Sequence, residues 1–428
     1  MTINLVTLGC SKNLVDSEKL LHQLQKNGHE IRHNSNEYTD IVIVNTCGFI
    51  LDAKTESIES IISFLEAKKQ GFIDKVIVMG CLSERYKSDL KKEMPDVDGI
   101  FGVDDHAEIL ASIEARYYEG ELHKRSLQTA PHYAYLKISE GCNRNCAFCA
   151  IPGIRGKQKS LSIPDLVKEA NELARKGVKE LLLIAQELTS YGTDLYGRKA
   201  LTELLEELVK IESIEWIRFH YIYPSGFPAD EMINLMKKHR KICRYLDIPV
   251  QHISDKILKS MGRNHGSSEV HEIINKFKTA LPDVVIRTTL ISGFPGETVE
   301  DFNALKDFIQ DVKFDRLGVF AYSHEEDTPA YKLEDNISDE VKTERMEELL
   351  SIQESISLEN NQKRVGNSYK VIIDALEGEF YIGRTEFDSP EVDNEVLIAA
   401  ADNKLKIGEF YDIEIFDATE FDLYGRKG

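Results

Sequence analysis

The chain lacks any apolar run near the roughly 18–20 residues that a membrane-spanning helix needs. Its first residues, MTINLVTLGCSKN, lack the basic leader and long apolar stretch of a secretion signal. Both absences predict a cytoplasmic protein without a membrane partner, in which thiols stay reduced. Basic residues are fewer than acidic ones: the chain has 53 Lys and Arg and 73 Asp and Glu, which gives a net charge of −20. This excess repels the nucleic-acid backbone at long range and argues against nucleic acid as the substrate.

The composition is that of a folded chain with several domains. Its 428 residues are 42% hydrophobic and 29% charged, which excludes wholesale disorder and, at about 150 residues per domain, predicts about three domains. Residues 1–120 alternate short apolar strands with amphipathic helices. Within them, the segments Ile3–Leu8, Ile41–Val44 and Lys75–Met79 have the continuous Val- and Ile-rich pattern of buried parallel strands. We therefore expect an α/β fold that begins with a doubly wound parallel sheet.

The alternation of strands and helices resumes after a polar stretch and later gives way to a different pattern. Residues 128–358 hold six further candidate strands, which predicts a full or partial (β/α) barrel with its chemistry at the carboxyl ends of the strands. These candidates are Ala134–Ser139, Glu180–Ala185, Glu215–Tyr221, Tyr245–Val250, Val284–Ile291 and Arg316–Ala321. Residues 361–428 instead alternate short β segments with Gly, Asp, Asn and Pro, which is typical of a small all-β barrel of the OB-like type.

The strongest chemical signal is a set of three cysteines in the stretch CNRNCAFC, directly after the first barrel strand. Cys142, Cys146 and Cys149 are spaced C-x3-C-x2-C. Three thiolates on one loop can hold three irons of a 4Fe–4S cluster and leave the fourth iron open to a small molecule. The alternative is a structural zinc site, which needs four ligands, and the sequence offers no second cysteine pair or adjacent His to complete one. The spacing therefore favours the iron–sulfur cluster.

Three more cysteines occupy equivalent positions in the first block. Cys10, Cys47 and Cys81 each follow the carboxyl end of a predicted parallel strand, and the intervals of 37 and 34 residues between them each match one strand–helix unit. Loops at these ends share one crevice in a doubly wound sheet, so the sequence predicts a second three-cysteine ligand set. The alternative is three ordinary buried cysteines. For Cys243, which has no partner in sequence, a buried structural thiol is the favoured interpretation.

Glycines and polar residues at the predicted barrel strand ends are candidates for cofactor binding. Glycine lets the backbone approach a ligand closely, and polar side chains at strand ends commonly contact ligands in a barrel. A role as turn formers or loop caps fits each single position about equally well. The candidates for cofactor binding are Gln186, Glu187, Gln251, Gly293, Gly296 and Glu297.

Together these features resemble a known enzyme family. The C-x3-C-x2-C loop after a barrel strand is similar to the signature of the radical S-adenosylmethionine enzymes, and the three N-terminal cysteines with a C-terminal barrel of the TRAM type resemble their methylthiotransferase branch. The stretches TLGCSKNLVDSE, CAIPGIRG and GRTEFDSPEVDNEV carry the resemblance, which covers essentially the whole chain. It implies a partial (β/α)6 barrel, a transferase that binds S-adenosylmethionine and two 4Fe–4S clusters, and chemistry carried by these cofactors without a catalytic acid or base side chain.

Within that family the chain resembles enzymes that methylthiolate the β-carbon of an aspartate in small ribosomal subunit protein twelve. Residues 366–428 carry six basic and fifteen acidic side chains. An acidic module attracts a basic ribosomal protein and repels RNA phosphates, so its charge favours a protein substrate. The resemblance also implies an electron donor such as a flavodoxin or a ferredoxin. Two alternatives are a tRNA adenosine methylthiotransferase and a non-catalytic iron–sulfur redox sensor that binds the ribosome.

Two positions depart from the family pattern. Leu161 follows Ser160 where relatives often carry Arg, so we do not expect an Arg that faces phosphate or substrate there. Asp327 stands where relatives often have Gly. Because Asp tolerates a left-handed backbone better than most residues, we expect this loop to keep its conformation.

Overall fold

The N-terminal part of the chain is a five-stranded parallel sheet with a hydrophobic core on each face. The computed structural model describes residues 1–401 and 403–428. Its N-terminal strands are β1 (Thr2–Thr7), β2 (Glu30–His33), β3 (Ile41–Thr46), β4 (Lys75–Gly80) and β5 (Gly99–Ile100). The helices are α1 (Ser11–Lys26), α2 (Leu51–Lys69), α3 (Cys81–Arg85), α4 (Lys87–Glu93) and α5 (His106–Ser112). The order is β2-β1-β3-β4-β5, so the strand order reverses between β1 and β3.

Both faces of this sheet are covered, because the central strand β3 is buried at every position and carries apolar residues on both sides. In β3, Ile41 and Ile43 pack on one side with α1 and α5, whereas Val42 and Val44 pack on the other side with α2. This arrangement confirms the doubly wound parallel sheet. In such a sheet the crevice for ligands lies at the carboxyl ends of the strands where the order reverses, which here is the end of β1 and β3.

The central part is an open barrel of six parallel strands. Its strands are β6 (Tyr133–Lys137), β9 (Glu180–Ile184), β10 (Trp216–Phe219), β11 (Tyr245–Asp247), β12 (Val285–Ser292) and β13 (Arg316–Ala321), and β7 (Ser139–Glu140) and β8 (Lys159–Ser160) form a separate antiparallel ribbon. An isolated parallel bridge between Ile217 and Ile242 joins the β6-β9-β10 half to the β11-β12-β13 half. In the described part of the chain, strand pairing ends at β6 on one side and at β13 on the other. This order is the partial barrel that the sequence predicts.

Helices cover the outside of the barrel and bury the largest core of the molecule. They are α6 (Ile151–Ile154), α7 (Ile163–Arg175), α8 (Thr193–Tyr196), α9 (Leu201–Leu208), α10 (Ala229–Lys238), α11 (Asp255–Ser260), α12 (Ser267–Ala280), α13 (Val299–Val312) and α14 (Asp339–Gln362). None of the helices among residues 1–401 and 403–428 is both long and apolar enough to cross a bilayer.

The C-terminal part is a closed five-stranded barrel. Its strands are β14 (Ser368–Glu377), β15 (Phe380–Thr385), β16 (Glu395–Ala399), β17 (Phe410–Ala418) and β18 (Asp422–Lys427), in the order β14-β15-β16-β18-β17. Inward-facing apolar residues such as Val371, Val396 and Leu423 fill it. The small all-β barrel predicted from the sequence is therefore confirmed.

The loop between β15 and β16 closes the amino end of the central barrel. Arg316, at the start of β13, makes an ion pair with Asp388 of this loop at 2.5 Å. Arg384, at the end of β15, makes an ion pair with Glu180, at the start of β9, at 2.9 Å. All four side chains are almost completely buried. The C-terminal barrel thus occupies the amino end of the central barrel and leaves the carboxyl end to the N-terminal sheet.

Candidate active site at the interface of sheet and barrel

The first cysteine loop begins immediately after β7, at the carboxyl end of the first barrel strand. Gly141 precedes Cys142 with φ +74°, and a Cβ at this glycine would lie 2.6 Å from the carbonyl oxygen of Gly156. The amide of Cys142 donates to that same oxygen at 3.1 Å, and the amide of Ala147 donates to the carbonyl of Met261 at 2.7 Å. Backbone bonds at both ends therefore fix the loop that carries the three thiols.

The donor set of this loop fits an iron–sulfur cluster. Burial raises the pKa of Cys142 to about 11 and that of Cys149 to about 12, so these two thiols stay protonated at neutral pH unless a metal binds them. The positive charge of bound iron overcomes such a rise, because metal coordination deprotonates a thiol. A guanidinium N–H of Arg263 donates to Cys146 Sγ at 3.6 Å, and the amide of Arg144 donates to Cys142 Sγ at 3.4 Å. Two sulfurs thus already receive hydrogen bonds of the kind that stabilise thiolates.

The second set of cysteines lies at the ends of three neighbouring strands. Cys10 follows β1, Cys47 follows β3 and Cys81 follows β4, so the three cysteines lie at the same edge of the sheet on adjacent strands. Asn13 joins the three loops, since its side-chain amide donates to the carbonyls of Leu8 at 2.9 Å and Thr46 at 3.0 Å. Its carbonyl oxygen accepts a 3.6 Å bond from Cys81 Sγ.

These three thiols also stand in a setting suited to a cluster. Gly9 has φ +86°, and a Cβ there would lie 2.7 Å from Cys47 Cβ, so the β1 loop approaches the β3 loop as closely as glycine permits. Burial raises the pKa of Cys47, and it raises that of Cys81 to about 12. Within residues 1–401 and 403–428, no three Cys, His, Asp or Glu side chains come close enough to hold a single metal ion. The cysteines of a four-iron cluster bind separate irons and stand farther apart than ligands of one ion.

A buried ion cluster joins the sheet to the barrel beside the second cysteine set. Asp16 of α1 pairs with Lys137 and, at 3.0 Å, with Arg155. Glu140 pairs with the same two cations, at 2.5 and 2.8 Å. Burial alone would raise the pKa of Asp16, but Lys137 and Arg155 outweigh that effect and lower it to about 2. The carboxylate is therefore ionised, and α1 is tied to the end of β6.

A second group of contacts joins the two parts on the opposite side, through the loop after β13. Glu325 accepts from Lys54 of α2 at 2.7 Å and from Arg85 of α3 at 3.3 Å. Arg85 also donates to the carbonyl of Gly48, next to Cys47, at 3.1 Å. Asp327 in this loop has φ +63°, which confirms the left-handed backbone expected there. The β13 loop therefore packs against the elements that follow Cys47 and Cys81, two of the three cysteines of the second set (Cys10, Cys47 and Cys81), which we call the auxiliary cysteines.

The segment that follows the first cysteine loop contacts the second cysteine set across this interface. Cys81 packs in one apolar cluster with Ala150 and Ile154, and Ala150 is the residue after Cys149. Arg155, which follows Ile154, makes the ion pair with Asp16 described above. The segment that leaves the first cysteine loop therefore rests on the second.

The glutamine and glutamate after β9 line the same carboxyl end. Gln186 donates to Glu140, and Glu187 accepts from the Arg144 side chain at 3.2 Å. Arg144 and Arg263 both stack on the ring of Tyr223, with 3.8 and 4.2 Å to its centroid. One arginine of the cysteine loop and one that contacts it are thus held by the same aromatic ring. The role of Gln186 and Glu187 in cofactor binding stays a prediction.

The remaining candidates form a braced loop after β12. Glu297 is fully buried and accepts two 3.1 Å bonds from the amide of Gly293, while His252 and Arg345 contact its carboxylate at 3.1 and 2.5 Å. Gly293 and Gly296 have φ +73° and +83°, and Gln251 has φ +72°. In this structure the Glu297 carboxylate positions the glycine turn from within. The predicted cofactor contacts of these four residues are not tested.

Sequence reasoning missed the residues that connect the two cysteine sets. Asn13, Asp16, Lys137 and Arg155 have ordinary neighbours in sequence and meet only after folding. The available signal was that Asn13 and Asp16 lie in the stretch TLGCSKNLVDSE and Arg155 in the stretch CAIPGIRG, both of which carry the family resemblance. Cys243 is fully buried beside Trp216 and Tyr245, as expected for a structural thiol.

Three family models match successive parts of the chain. Residues 2–102 match the Uncharacterized protein family UPF0004, residues 136–309 match the Radical SAM superfamily, and residues 365–427 match the TRAM domain. The first match contains the auxiliary cysteines, and the second contains the C-x3-C-x2-C loop.

Curated relatives match nearly the whole chain. The ribosomal protein uS12 methylthiotransferase RimO of Flavobacterium psychrophilum is 55% identical over 423 residues, which are 99% of this chain and 97% of the relative. The protein of the same name from Phocaeicola vulgatus is 51% identical over 425 residues, 99% and 98% of the two chains. The chain belongs to the RimO family.

A solved structure supports the fold of this RimO-family chain. The radical S-adenosylmethionine methyltransferase TsrM from Kitasatospora setae, solved with tryptophan substrate and a SAM analogue, has a TM-score of 0.57 and 12% identity. The match covers 83% of this chain and 89% of TsrM. At this identity the likeness concerns the fold alone.

Proposed function

We propose that this chain attaches a methylthio group to the β-carbon of an aspartate in the ribosomal protein uS12, with S-adenosylmethionine and two 4Fe–4S clusters. One observation carries the proposal: two separate sets of three cysteines, on the sheet and on the barrel, meet at one interface in a chain of the RimO family. One cluster alone would account for cleavage of S-adenosylmethionine, whereas a second one beside it gives a place for sulfur.

The barrel loop would hold the first cluster through Cys142, Cys146 and Cys149. The loops after β1, β3 and β4 would hold the second through Cys10, Cys47 and Cys81. When bound, the first centre supplies the electron for reductive cleavage of S-adenosylmethionine, and the protein orients the cofactors and keeps water away from the reacting carbon. Three ligands for each four-iron cluster leave one iron of each free for a guest.

The chain's own residues would position S-adenosylmethionine at the carboxyl end of the barrel. Gln186 and Glu187 lie after β9 beside the cysteine loop, and Gln251, Gly293 and Gly296 lie in the loops after β11 and β12. For Glu297 an indirect part is supported by the contacts of its carboxylate with Gly293, His252 and Arg345. We expect substitution of Glu297 to loosen this turn rather than remove a direct ligand.

The acidic C-terminal barrel supports a basic protein substrate less strongly than its composition indicates. Asp388 and Asp393 are paired with Arg316 and Arg287 of the central barrel, so part of the acidic excess serves packing. The outer strands still expose acids such as Glu377, whose charge attracts a basic protein. We further propose a cytoplasmic location, a flavodoxin or ferredoxin as electron donor, and the domain bounds 1–120, 128–358 and 361–428.

The test uses anaerobically reconstituted protein with dithionite, S-adenosylmethionine, sulfide and uS12. The unsubstituted chain should form 5′-deoxyadenosine and add a methylthio mass to uS12. Cys142→Ala should lose both products, whereas Cys47→Ala should still form 5′-deoxyadenosine but leave uS12 unmodified. Cys243→Ala is the matched control, because this buried thiol belongs to neither set, and it should keep both activities.

The same assay separates the alternatives. A methylthio group on tRNA with uS12 unmodified would identify a tRNA enzyme, and intact clusters without any 5′-deoxyadenosine would identify a non-catalytic sensor. Sulfur insertion by Cys47→Ala would contradict the proposal that the first cluster cleaves S-adenosylmethionine and the second provides the place for sulfur. No feature of the described residues favours either alternative.

A further inference from the structure

Arg155 connects the segment after the first cysteine loop with a cysteine of the second set through a shared hydrogen-bond acceptor. It follows the first cysteine loop by six residues, yet its side chain, 2% exposed, reaches into the N-terminal sheet. One guanidinium nitrogen donates to Asn13 Oδ1 at 2.5 Å, and Cys81 Sγ donates to the same oxygen at 3.6 Å. An arginine of the barrel and an auxiliary thiol therefore meet at one acceptor.

The groups around Arg155 hold its charge in this place. Asp16 and Glu140 pair with it at 3.0 and 2.8 Å, and Lys137 shares both carboxylates. Two cations thus face two anions, and none of the four side chains is more than 13% exposed. The two positive and two negative charges cancel, and their ion pairs hold the Arg155 guanidinium in one position. A negative charge that develops at the auxiliary cysteines therefore finds a positive charge already in place nearby.

We propose that Arg155 is a positioning residue of the auxiliary centre: it holds a positive charge beside the Cys81 thiolate and raises the reduction potential of the cluster on Cys10, Cys47 and Cys81. This inference rests on the proposed function, because it requires a cluster on those cysteines. Net charge and hydrogen bonds near the sulfurs set the potential of a bound cluster. A nearby fixed cation favours the reduced, more negative state, and it does so strongly where water is excluded.

One further observation agrees with this role. Arg155 lies on the segment whose Ala150 and Ile154 pack against Cys81, so its position follows that of the first cysteine loop. The charge at the auxiliary centre is therefore coupled to the placement of the S-adenosylmethionine-binding loop.

The test measures the potential of the auxiliary cluster alone. In a full-length chain with Cys142, Cys146 and Cys149 all replaced by Ala, only the auxiliary cysteines can take up a cluster. Iron and sulfide are quantified after anaerobic reconstitution, and the cluster is then titrated by EPR-monitored potentiometry. In this background Arg155→Gln should shift the midpoint to a more negative value, and Arg155→Lys, which keeps the charge, should stay closer to the parent.

Arg125→Gln is the matched control. Arg125 is fully buried at the same interface and makes ion pairs with Glu18 at 3.4 Å and Glu169 at 3.3 Å, and its contacts within the described residues include no cysteine. This variant should weaken the interface and leave the midpoint unchanged.

Each outcome decides a separate question. An unchanged midpoint in Arg155→Gln with full iron content overturns the inference, and so does an equal shift in Arg125→Gln. If Arg155→Gln takes up no iron, an Arg155→Lys variant with normal iron content and the parent midpoint supports the requirement for a positive charge. Loss of iron in both variants shows that Arg155 has a purely structural role and overturns the inference. If the triple-Ala parent itself binds no four-iron cluster, the proposed function fails instead.

Discussion

Replacement of Asp388 by Asn should detach the C-terminal barrel from the central barrel. Asp388 is fully buried, accepts from Arg316 at 2.5 Å and from Thr385 Oγ1 at 2.5 Å, and occupies the loop that closes the amino end of the barrel. Arg316 lowers the pKa of Asp388 against the opposing effect of burial. Asn keeps the shape and one acceptor oxygen but removes the negative charge.

The cost follows from leaving a buried guanidinium without its counter-ion. Removing one partner of a buried ion pair costs about 3–5 kcal/mol. Because Asn can still accept a hydrogen bond from Arg316, we expect the lower end, about 3 kcal/mol. With a urea dependence of about 1–3 kcal/mol per molar, the midpoint of the local transition should fall by about 1–3 M.

The only tryptophan of the chain is well placed to report this transition. Trp216 in β10 is 3% exposed and packs edge-on against Phe410 of β17, with ring centroids 4.8 Å apart. Its fluorescence therefore follows the contact between the two barrels during urea titration. The exposed pair of Arg426 with Glu414 at 3.1 Å gives the control, because exposed ion pairs add little stability and Glu414→Gln should leave the midpoint nearly unchanged. Equal midpoints for the two variants would refute the reasoning.

Two further predictions concern the N-terminal sheet. Asp16 has a pKa of about 2 in the folded chain and an ordinary value of 3.8. Its ion pairs therefore stabilise the fold above about pH 4, and this stabilisation is lost as the pH falls toward 2. Urea unfolding at a series of pH values should show this loss, about 2 kcal/mol, in the parent but not in Asp16→Asn. Gly9→Ala should reduce iron uptake at the auxiliary site, because its Cβ would meet Cys47, whereas Gly28→Ala, at a similar φ of +81° with open space around it, should affect stability alone. Equal iron content in the two glycine variants would contradict the crowding argument.

The sequence predicts those features that repeat locally. The six barrel strands and the strands before Cys10, Cys47 and Cys81 appear within a few residues of their expected bounds, because each is a short apolar run followed by an amphipathic helix. In contrast, β2 and β5 were not predicted. They have four and two residues and a mixed composition, so pairing with an existing sheet edge, rather than their own pattern, makes them strands.

The contacts between the three parts could not be predicted, because they join residues far apart in the chain. Glu325 meets Lys54 across 271 positions, and Arg316 meets Asp388 across 72. Charged residues in a sequence normally indicate exposed surface. Here their partners lie on other units, so only the folded chain reveals that these charges are buried and paired.

Two of the buried ion clusters between sheet and barrel lie beside the loops that carry the auxiliary cysteines. Asp16 with Arg155 fixes α1, and Glu325 with Lys54 and Arg85 fixes the elements after β3 and β4. A single contact would allow the sheet to rotate about it, whereas two separate buried contacts resist that rotation. The distance between the two cysteine sets is then determined before any cofactor binds, as expected if sulfur must reach a substrate carbon that is activated at the other set.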